Sequence, residues 1–147
     1  MFHVSTKSRY GLRTLIDLAS RGQSGPVSLK ELSKDQAISK KYLENIFRML
    51  MQGGMIRSVR GARGGYQLAV DPTQVTLLEI LNTIDGPVAL LECIHNPDAC
   101  KRMKDCPTQN LWRELEESII SFLKKRTLKE LIDQNQKNRA GYQGMYI

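Results

Sequence analysis

Between Ser28 and Tyr66 the chain carries a series of helix caps, helix stops and glycines that leaves few ways to fold. Ser28-Leu29-Lys30-Glu31 is a capping box. The serine hydroxyl and the glutamate three residues on satisfy each other's backbone N–H groups, so a helix opens at Leu29. It is expected to run to about Asp35, with Ala37-Ile38 as a turn. Ser39 then caps a third helix, Lys40 to about Gln52, whose inner stripe is Leu43, Ile46, Phe47, Leu50 and Met51. Gly53-Gly54 stops it. Two short β segments follow, Met55 to Val59 and Tyr66 to Val70, joined by Arg60-Gly61-Ala62-Arg63-Gly64-Gly65. Glycine at both ends of that connection permits a tight hairpin. Two helices with a short turn, then a hairpin, is the order of a winged helix-turn-helix.

The flanking segments read as helices. Tyr10, Thr14, Leu15, Leu18 and Ala19 recur at helical spacing over residues 6–20, with Ser5 or Thr6 as a cap and Gly22 and Gly25-Pro26 as the end. Asp71-Pro72 marks a junction. Thr76-Leu77-Leu78-Glu79 is a second capping box, opening a helix to about Ile84, and Asp85-Gly86-Pro87 closes it. Residues 92–107 are charged and weakly periodic, which predicts a loop. A long helix is expected from Thr108, with Leu111, Leu115, Ile119, Phe122 and Leu123 on its apolar face. Thr127-Leu128-Lys129-Glu130 predicts a further short helix, and the polar, glycine-bearing residues from 136 to 147 a mobile tail. The expected fold is mainly α with a small β-hairpin wing. It divides into a winged helix-turn-helix (1–72), a connecting helix (73–91), a cysteine-bearing loop (92–107), dimerisation helices (108–135) and the tail (136–147).

Charge is unevenly spread. The chain carries a net +7, but residues 1–70 hold twelve Lys or Arg against four Asp or Glu, and residues 71–147 hold ten against eleven. The first part is therefore +8 and the second −1. A basic half joined to a near-neutral half suggests a polyanion-binding part and a part with another task. With 41% hydrophobic and 25% charged residues the composition is globular, not disordered. The first residues lack the apolar core and cleavage site of a signal peptide, and no apolar run approaches membrane-spanning length, so a cytoplasmic protein is expected. The chain has two histidines, His3 and His95, and no paired-carboxylate, Ser-His or Cys-His constellation. An enzyme is therefore not expected.

The third helix is the expected DNA reader. Ser39, Lys40, Lys41, Tyr42, Glu44, Asn45 and Arg48 crowd its first turns, and the N-terminal end of this helix enters the major groove in helix-turn-helix proteins. Lys and Arg bond phosphates or guanine, Glu accepts from cytosine, and the positive end of the helix dipole favours phosphate. Arg57, Arg60 and Arg63 arm the wing, and an arginine-bearing hairpin reaches a narrow minor groove. On residue type alone, Tyr66 is more often a core-covering residue than a base contact.

Three cysteines, Cys93, Cys100 and Cys106, fall within fourteen residues. An odd number argues against a disulfide framework. Clustered thiols with Lys101, Arg102 and Lys104 nearby suit a thiolate-ligated metal. The C-x6-C-x5-C spacing leaves an iron–sulfur cluster, zinc and free redox-active thiols all open, although the C-x2-C pairs typical of structural zinc are absent.

Ser39-Lys-Lys-Tyr-Leu-Glu-Asn-Ile-Phe and Ser58-Val-Arg-Gly-Ala-Arg-Gly-Gly-Tyr66 resemble one family of winged-helix regulators. Its members are the iron–sulfur cluster regulators (IscR), the nitric-oxide-sensing repressors (NsrR) and the cysteine-metabolism repressors (CymR). Ser8-Arg-Tyr-Gly-Leu12, Thr76-Leu-Leu-Glu-Ile80 and Leu111-Trp-Arg-Glu-Leu115 extend the resemblance to about residue 134. It implies a homodimer that binds a palindromic operator in duplex DNA, with the long C-terminal helix crossing its partner's. It implies that Glu44 reads bases, Arg60 enters the minor groove, and Tyr10, Ser39, Lys41 and Tyr42 hold the backbone. The expected DNA-binding set is thus Lys7, Arg9, Tyr10, Ser39, Lys40, Lys41, Tyr42, Glu44, Arg48, Arg57, Arg60, Arg63, Gly64, Gly65 and Tyr66. It further implies that Cys93, Cys100 and Cys106 ligate an iron–sulfur cluster of the 2Fe–2S type, sensing cluster status, redox state or nitric oxide. Two departures stand out. The first cysteine gap is one residue longer than usual. The histidine that some relatives place three residues after the last cysteine is Gln109 here, and the N-terminal aspartate that others supply corresponds to Arg9. Gln109, His95, Glu92 or an exogenous group is left as fourth ligand. The alternative is a cluster-free regulator controlled by thiol oxidation or by a partner protein.

Overall fold

The computed structural model describes residues 3–21 and 24–144, the last three by backbone alone. Its elements are α1 (Thr6–Arg21), α2 (Leu29–Gln36), α3 (Lys40–Gln52), β1 (Ile56–Val59), β2 (Gly65–Leu68), α4 (Leu77–Asp85), a single turn α5 (Glu92–His95), α6 (Gln109–Lys124) and α7 (Leu128–Gly144). This is a mainly helical winged helix-turn-helix with a two-stranded antiparallel hairpin.

The caps do what their residue types predict. Ser28 accepts from the Glu31 N–H while Glu31 accepts from the Ser28 N–H, and Thr76 and Glu79 repeat the exchange at α4. Between α2 and α3 the chain turns through Ala37, at φ 54°, whose N–H donates back to Lys34 and Ser33. Ser39 then accepts from the Tyr42 N–H to start α3. Gly86, at φ 85°, ends α4 in a backbone conformation that side chains resist.

The hairpin pairs Ile56 with Leu68 and Val59 with Gly65. Val27 adds a third, one-residue strand, exchanging two backbone hydrogen bonds of 2.9 and 2.8 Å with Tyr66. One core runs through the whole body. Leu15, Leu18, Leu32, Leu43, Ile46, Phe47, Leu50, Ile80 and Leu128 are fully buried, and Val75, Leu77, Ile84 and Ile132 join them. Burying each such side chain contributes about 1.5–3 kcal/mol before conformational entropy is subtracted.

Two expectations are corrected. Residues 92–107 are not a plain loop. They hold the turn of α5 and two short 3-10 turns, Pro97–Ala99 and Met103–Asp105. Asn96 caps the first of these by accepting from the Asp98 N–H. The helix after Thr127 is not short either, because α7 continues to Gly144 where a mobile tail was expected. Leu128 and Ile132 anchor it in the core, and Arg139 reaches the buried Asp17 carboxylate of α1 at 3.7 Å. Residues 145–147 and the proposed helix stop at Gly22 lie outside the described residues.

The start of α7 is stitched to the start of α4. Leu77 N–H donates to Arg126 at 2.9 Å and Leu128 N–H to Val75 at 3.0 Å, so Thr76 and Thr127 form an isolated antiparallel bridge. Among the described residues no helix is long and apolar enough to cross a membrane.

Candidate nucleic-acid interface and cysteine segment

The amphipathic α3 buries Leu43, Ile46, Phe47 and Leu50 and turns Ser39, Lys40, Lys41, Glu44, Asn45 and Arg48 to solvent. Lys40 and Glu44 lie 4.0 Å apart, one turn from each other. Tyr42 is half-buried, its ring edge-on to Tyr10 at 6.0 Å. Arg13 lies 4.9 Å over the Tyr10 ring and donates to the Gln36 carbonyl at 2.7 Å. This stack fixes α1 against both helices of the motif.

At the wing, Arg60 and Arg63 are exposed at the tip, and Arg57 contacts Gln67 across the hairpin at 3.3 Å. Among the described residues no acid pairs with Lys41, Arg48, Arg57, Arg60 or Arg63. The basic α3 face and the wing thus carry uncompensated positive charge.

Other candidates have structural occupations. Lys7 is drawn to the end of α4, 3.3 Å from Asp85. Burial works against ionisation of Asp85, but hydrogen bonds from Ser5, Ser8 and Lys7 hold its carboxyl below the usual carboxylate range. Arg9 donates to the Thr6 hydroxyl at 3.3 Å. Tyr66 packs edge-on against Phe47 at 4.8 Å while its backbone pairs with Val27. A side chain at Gly64 would come within 2.3 Å of the Val59 carbonyl oxygen, and one at Gly65 equally close to that of Val27. These glycines shape the hairpin.

The three cysteines are partly buried and unbridged. Cys93 rides on α5, and Cys100 and Cys106 follow the two 3-10 turns. Over residues 100–109 burial recurs every third residue: Cys100, Met103, Cys106 and Gln109 turn inward, and the residues between are exposed. The 3-10 turn Met103–Asp105, in whose geometry side chains three apart eclipse, lies at the middle of this stripe. The Thr108 hydroxyl, 3.6 Å from the Cys106 sulfur, and the Thr108 backbone hold that thiol below its ordinary value. Thiolate is the form that ligates metals.

Among the described residues, however, no three His, Cys, Asp or Glu side chains are gathered as a metal-holding group. The donors have the right chemistry for a cluster but are not assembled around one. The candidate fourth ligands stand as follows. His95 Nε2 is 2.7 Å from the Glu116 carboxylate. The Gln109 amide is tied to Met103, and in its better-satisfied orientation it donates to the Met103 carbonyl and accepts from Arg113, each at 3.2 Å. Glu92 is exposed.

Sequence reasoning missed two acids. Asp17, 1% exposed, accepts two hydrogen bonds from Arg21 and one from Gln36 of α2. Glu116, 4% exposed, is the buried residue of α6. Nothing in their local patterns distinguishes either from a solvated acid: Asp17 has Arg21 one turn on, as exposed helix acids often do, while Gln36, Arg139, Leu90 and His95 come from elsewhere in the chain.

The remainder of α6 is apolar on two sides. Ile119, Ile120 and Leu123 turn partly inward, whereas Leu111, Trp112, Leu115 and Phe122 are exposed.

Residues 4–134 match the profile of the Rrf2 family, described as iron-dependent transcriptional regulators. The chain is 36% identical over 133 residues to the HTH-type transcriptional regulator IscR of Aliivibrio salmonicida, covering 90% of this chain and 79% of that one. It is 37% identical over 130 residues to IscR of Yersinia pestis, covering 88% and 79%. Among solved structures it is similar to T. potens IscR (TM-score 0.76, 31% identity, 93% of this chain and 90% of that one). It is also similar to CymR, the global cysteine regulator of B. subtilis (TM-score 0.74, 33% identity, 91% and 98%).

Proposed function

The chain belongs to the Rrf2 family of transcriptional regulators, and from that premise we propose that it is a homodimeric regulator whose grip on a palindromic operator is set by its cysteine segment. One observation carries the reading: the exposed, unpaired cations of α3 and the wing lie on the two elements that a winged helix inserts into DNA. Lys40, Glu44 and Arg48 face the major groove, Arg60 and Arg63 the minor groove, and Tyr10, Ser39, Lys41 and Tyr42 the backbone, with Arg57 on the wing flank. Lys7, Arg9, Gly64, Gly65 and Tyr66 support the surface rather than touch bases. The dimer forms along Leu111, Leu115 and Phe122 of α6.

For the ligand of the cysteine segment we infer an iron–sulfur cluster of the 2Fe–2S type, held by Cys93, Cys100 and Cys106 with a non-cysteine group in the fourth position. Three partly buried thiols in fourteen residues, and the likeness to proteins named IscR, support it. A metal-free, thiol-controlled regulator is the second reading. The ungathered donors and the likeness to CymR favour it.

Anaerobic purification separates the two. The first requires iron and acid-labile sulfide in equal amounts, and operator affinity that differs between loaded and metal-free protein. Stoichiometric zinc without sulfide rejects the cluster. A triple-cysteine variant that binds every operator as the loaded protein does rejects control at this segment. In the same assay Arg60→Ala and Lys41→Ala should both weaken binding, by about 1–3 kcal/mol each. Arg60→Ala alone should also change preference at an A·T-rich position.

A further inference from the structure

Glu116 is a carboxylate in a place where a carboxylate is costly. It is 4% exposed, on a helix otherwise without a buried residue. One oxygen accepts the Leu90 backbone N–H at 2.7 Å, and the other lies 2.7 Å from His95 Nε2. Burying a charged group is tolerated when its lone pairs are occupied at this distance, and such charge-assisted bonds are the strong ones. His95 belongs to the cysteine segment, and Leu90 lies just before it. Leu90 lies just before α5 and His95 ends it, so the two bonds bracket the turn on which Cys93 rides. Cys100, Met103, Cys106 and Gln109 form a separate inward stripe. The described hydrogen bonds and ion pairs give that stripe no hold on Glu116.

We propose that Glu116 is the positioning residue of the cysteine site: it pins the Cys93 turn to α6. A ligand shared by the three cysteines then forms only if Cys100 and Cys106 close onto a Cys93 held at α6, if the hold breaks, or if α6 moves with Cys93. The inference rests on the regulatory reading above and adds the residue through which the cysteine segment acts on the long helix. His95, on this view, is the far end of the hold and not a metal ligand.

The test uses the full chain, reduced and metal-free, with iodoacetamide alkylation of each cysteine followed by peptide mass analysis. Loss of a buried hydrogen-bonded acceptor frees the segment it held. Glu116→Ala should therefore raise the alkylation rate of Cys93 by about tenfold, while Cys100 and Cys106 change by less than about twofold. Glu116→Gln keeps an acceptor for the Leu90 N–H and should give an intermediate rate. His95→Ala attacks the same contact from the other side and should also raise Cys93 selectively, which keeps the test open if Glu116→Ala does not fold. Glu116→Ala should leave the operator affinity of metal-free protein unchanged. It should shrink the difference between iron–sulfur-loaded and metal-free protein to within about twofold. An unchanged Cys93 rate, or three thiols accelerating together, overturns the proposal. If instead the wild-type protein shows no operator difference on loading while Cys93 still responds selectively, the hold stands and the regulatory reading fails.

Discussion

Alanine at position 65 would place its Cβ 2.3 Å from the Val27 carbonyl oxygen and 2.5 Å from its carbonyl carbon, and backbone cannot yield as a side chain does. Gly65→Ala is therefore expected to separate Val27 from Tyr66, costing about 1–3 kcal/mol, and to displace the wing. Thermal unfolding with operator titration checks it, and an unchanged melting temperature contradicts the contact. The local sequence places Gly64 and Gly65 in a hairpin, and the family resemblance implies that they meet DNA. That the backbone of Val27, nearly forty positions upstream, lies against Gly65 is a tertiary fact with no local trace. Asp17 teaches the same. Its burial depends on Arg21, Gln36 and Arg139, and the last of these falls in a segment whose polar composition reads as tail.

Elements were far more legible, because caps are local chemistry. α2, α3 and α4 begin at the residues their caps specify, and the strand ends shifted by one or two residues. What failed was α7, whose few apolar anchors dock in a core that local periodicity does not reveal. The capping boxes also set an acid response. The hydroxyl and backbone N–H of Ser28 hold Glu31 below the usual carboxylate range, and the backbone N–H and hydroxyl of Thr76 do the same for Glu79. A depressed carboxylate contributes stability that is fully present above the unfolded value, about 4.3. That contribution is lost as pH falls through the lower folded value. The Glu31→Gln/Glu79→Gln pair should therefore lose less melting temperature than wild type between about pH 5 and pH 3. Identical acid limbs contradict this. On α6, the inward turn of Ile119 and Leu123 narrows the surface available for pairing to the exposed Leu111, Trp112, Leu115 and Phe122. Leu115→Glu and Phe122→Glu should give well-folded monomers by sedimentation that bind a palindromic operator far more weakly. An unchanged dimer in both rejects α6 as the interface.

For the molecule as a whole, the division of charge was readable from residue counts, and it predicts how affinity depends on salt. With +8 on residues 1–70, operator binding should fall by about a thousandfold or more between roughly 50 and 200 mM salt, as phosphate-bound counterions are released. A fall of less than about tenfold in fluorescence anisotropy contradicts a phosphate-dominated grip. The path of the chain bears on ancestry as well. It departs at Gly86, at one end of α4, and returns through the Thr76–Thr127 bridge at the other end of the same nine-residue helix. Everything between is an excursion whose two feet stand about 14 Å apart, at 1.5 Å per helical residue. A residue gained or lost on that excursion alters its perimeter and leaves its feet in place. Descendants of one ancestral body can thus diverge in the stimulus they answer while inheriting the same hold on DNA.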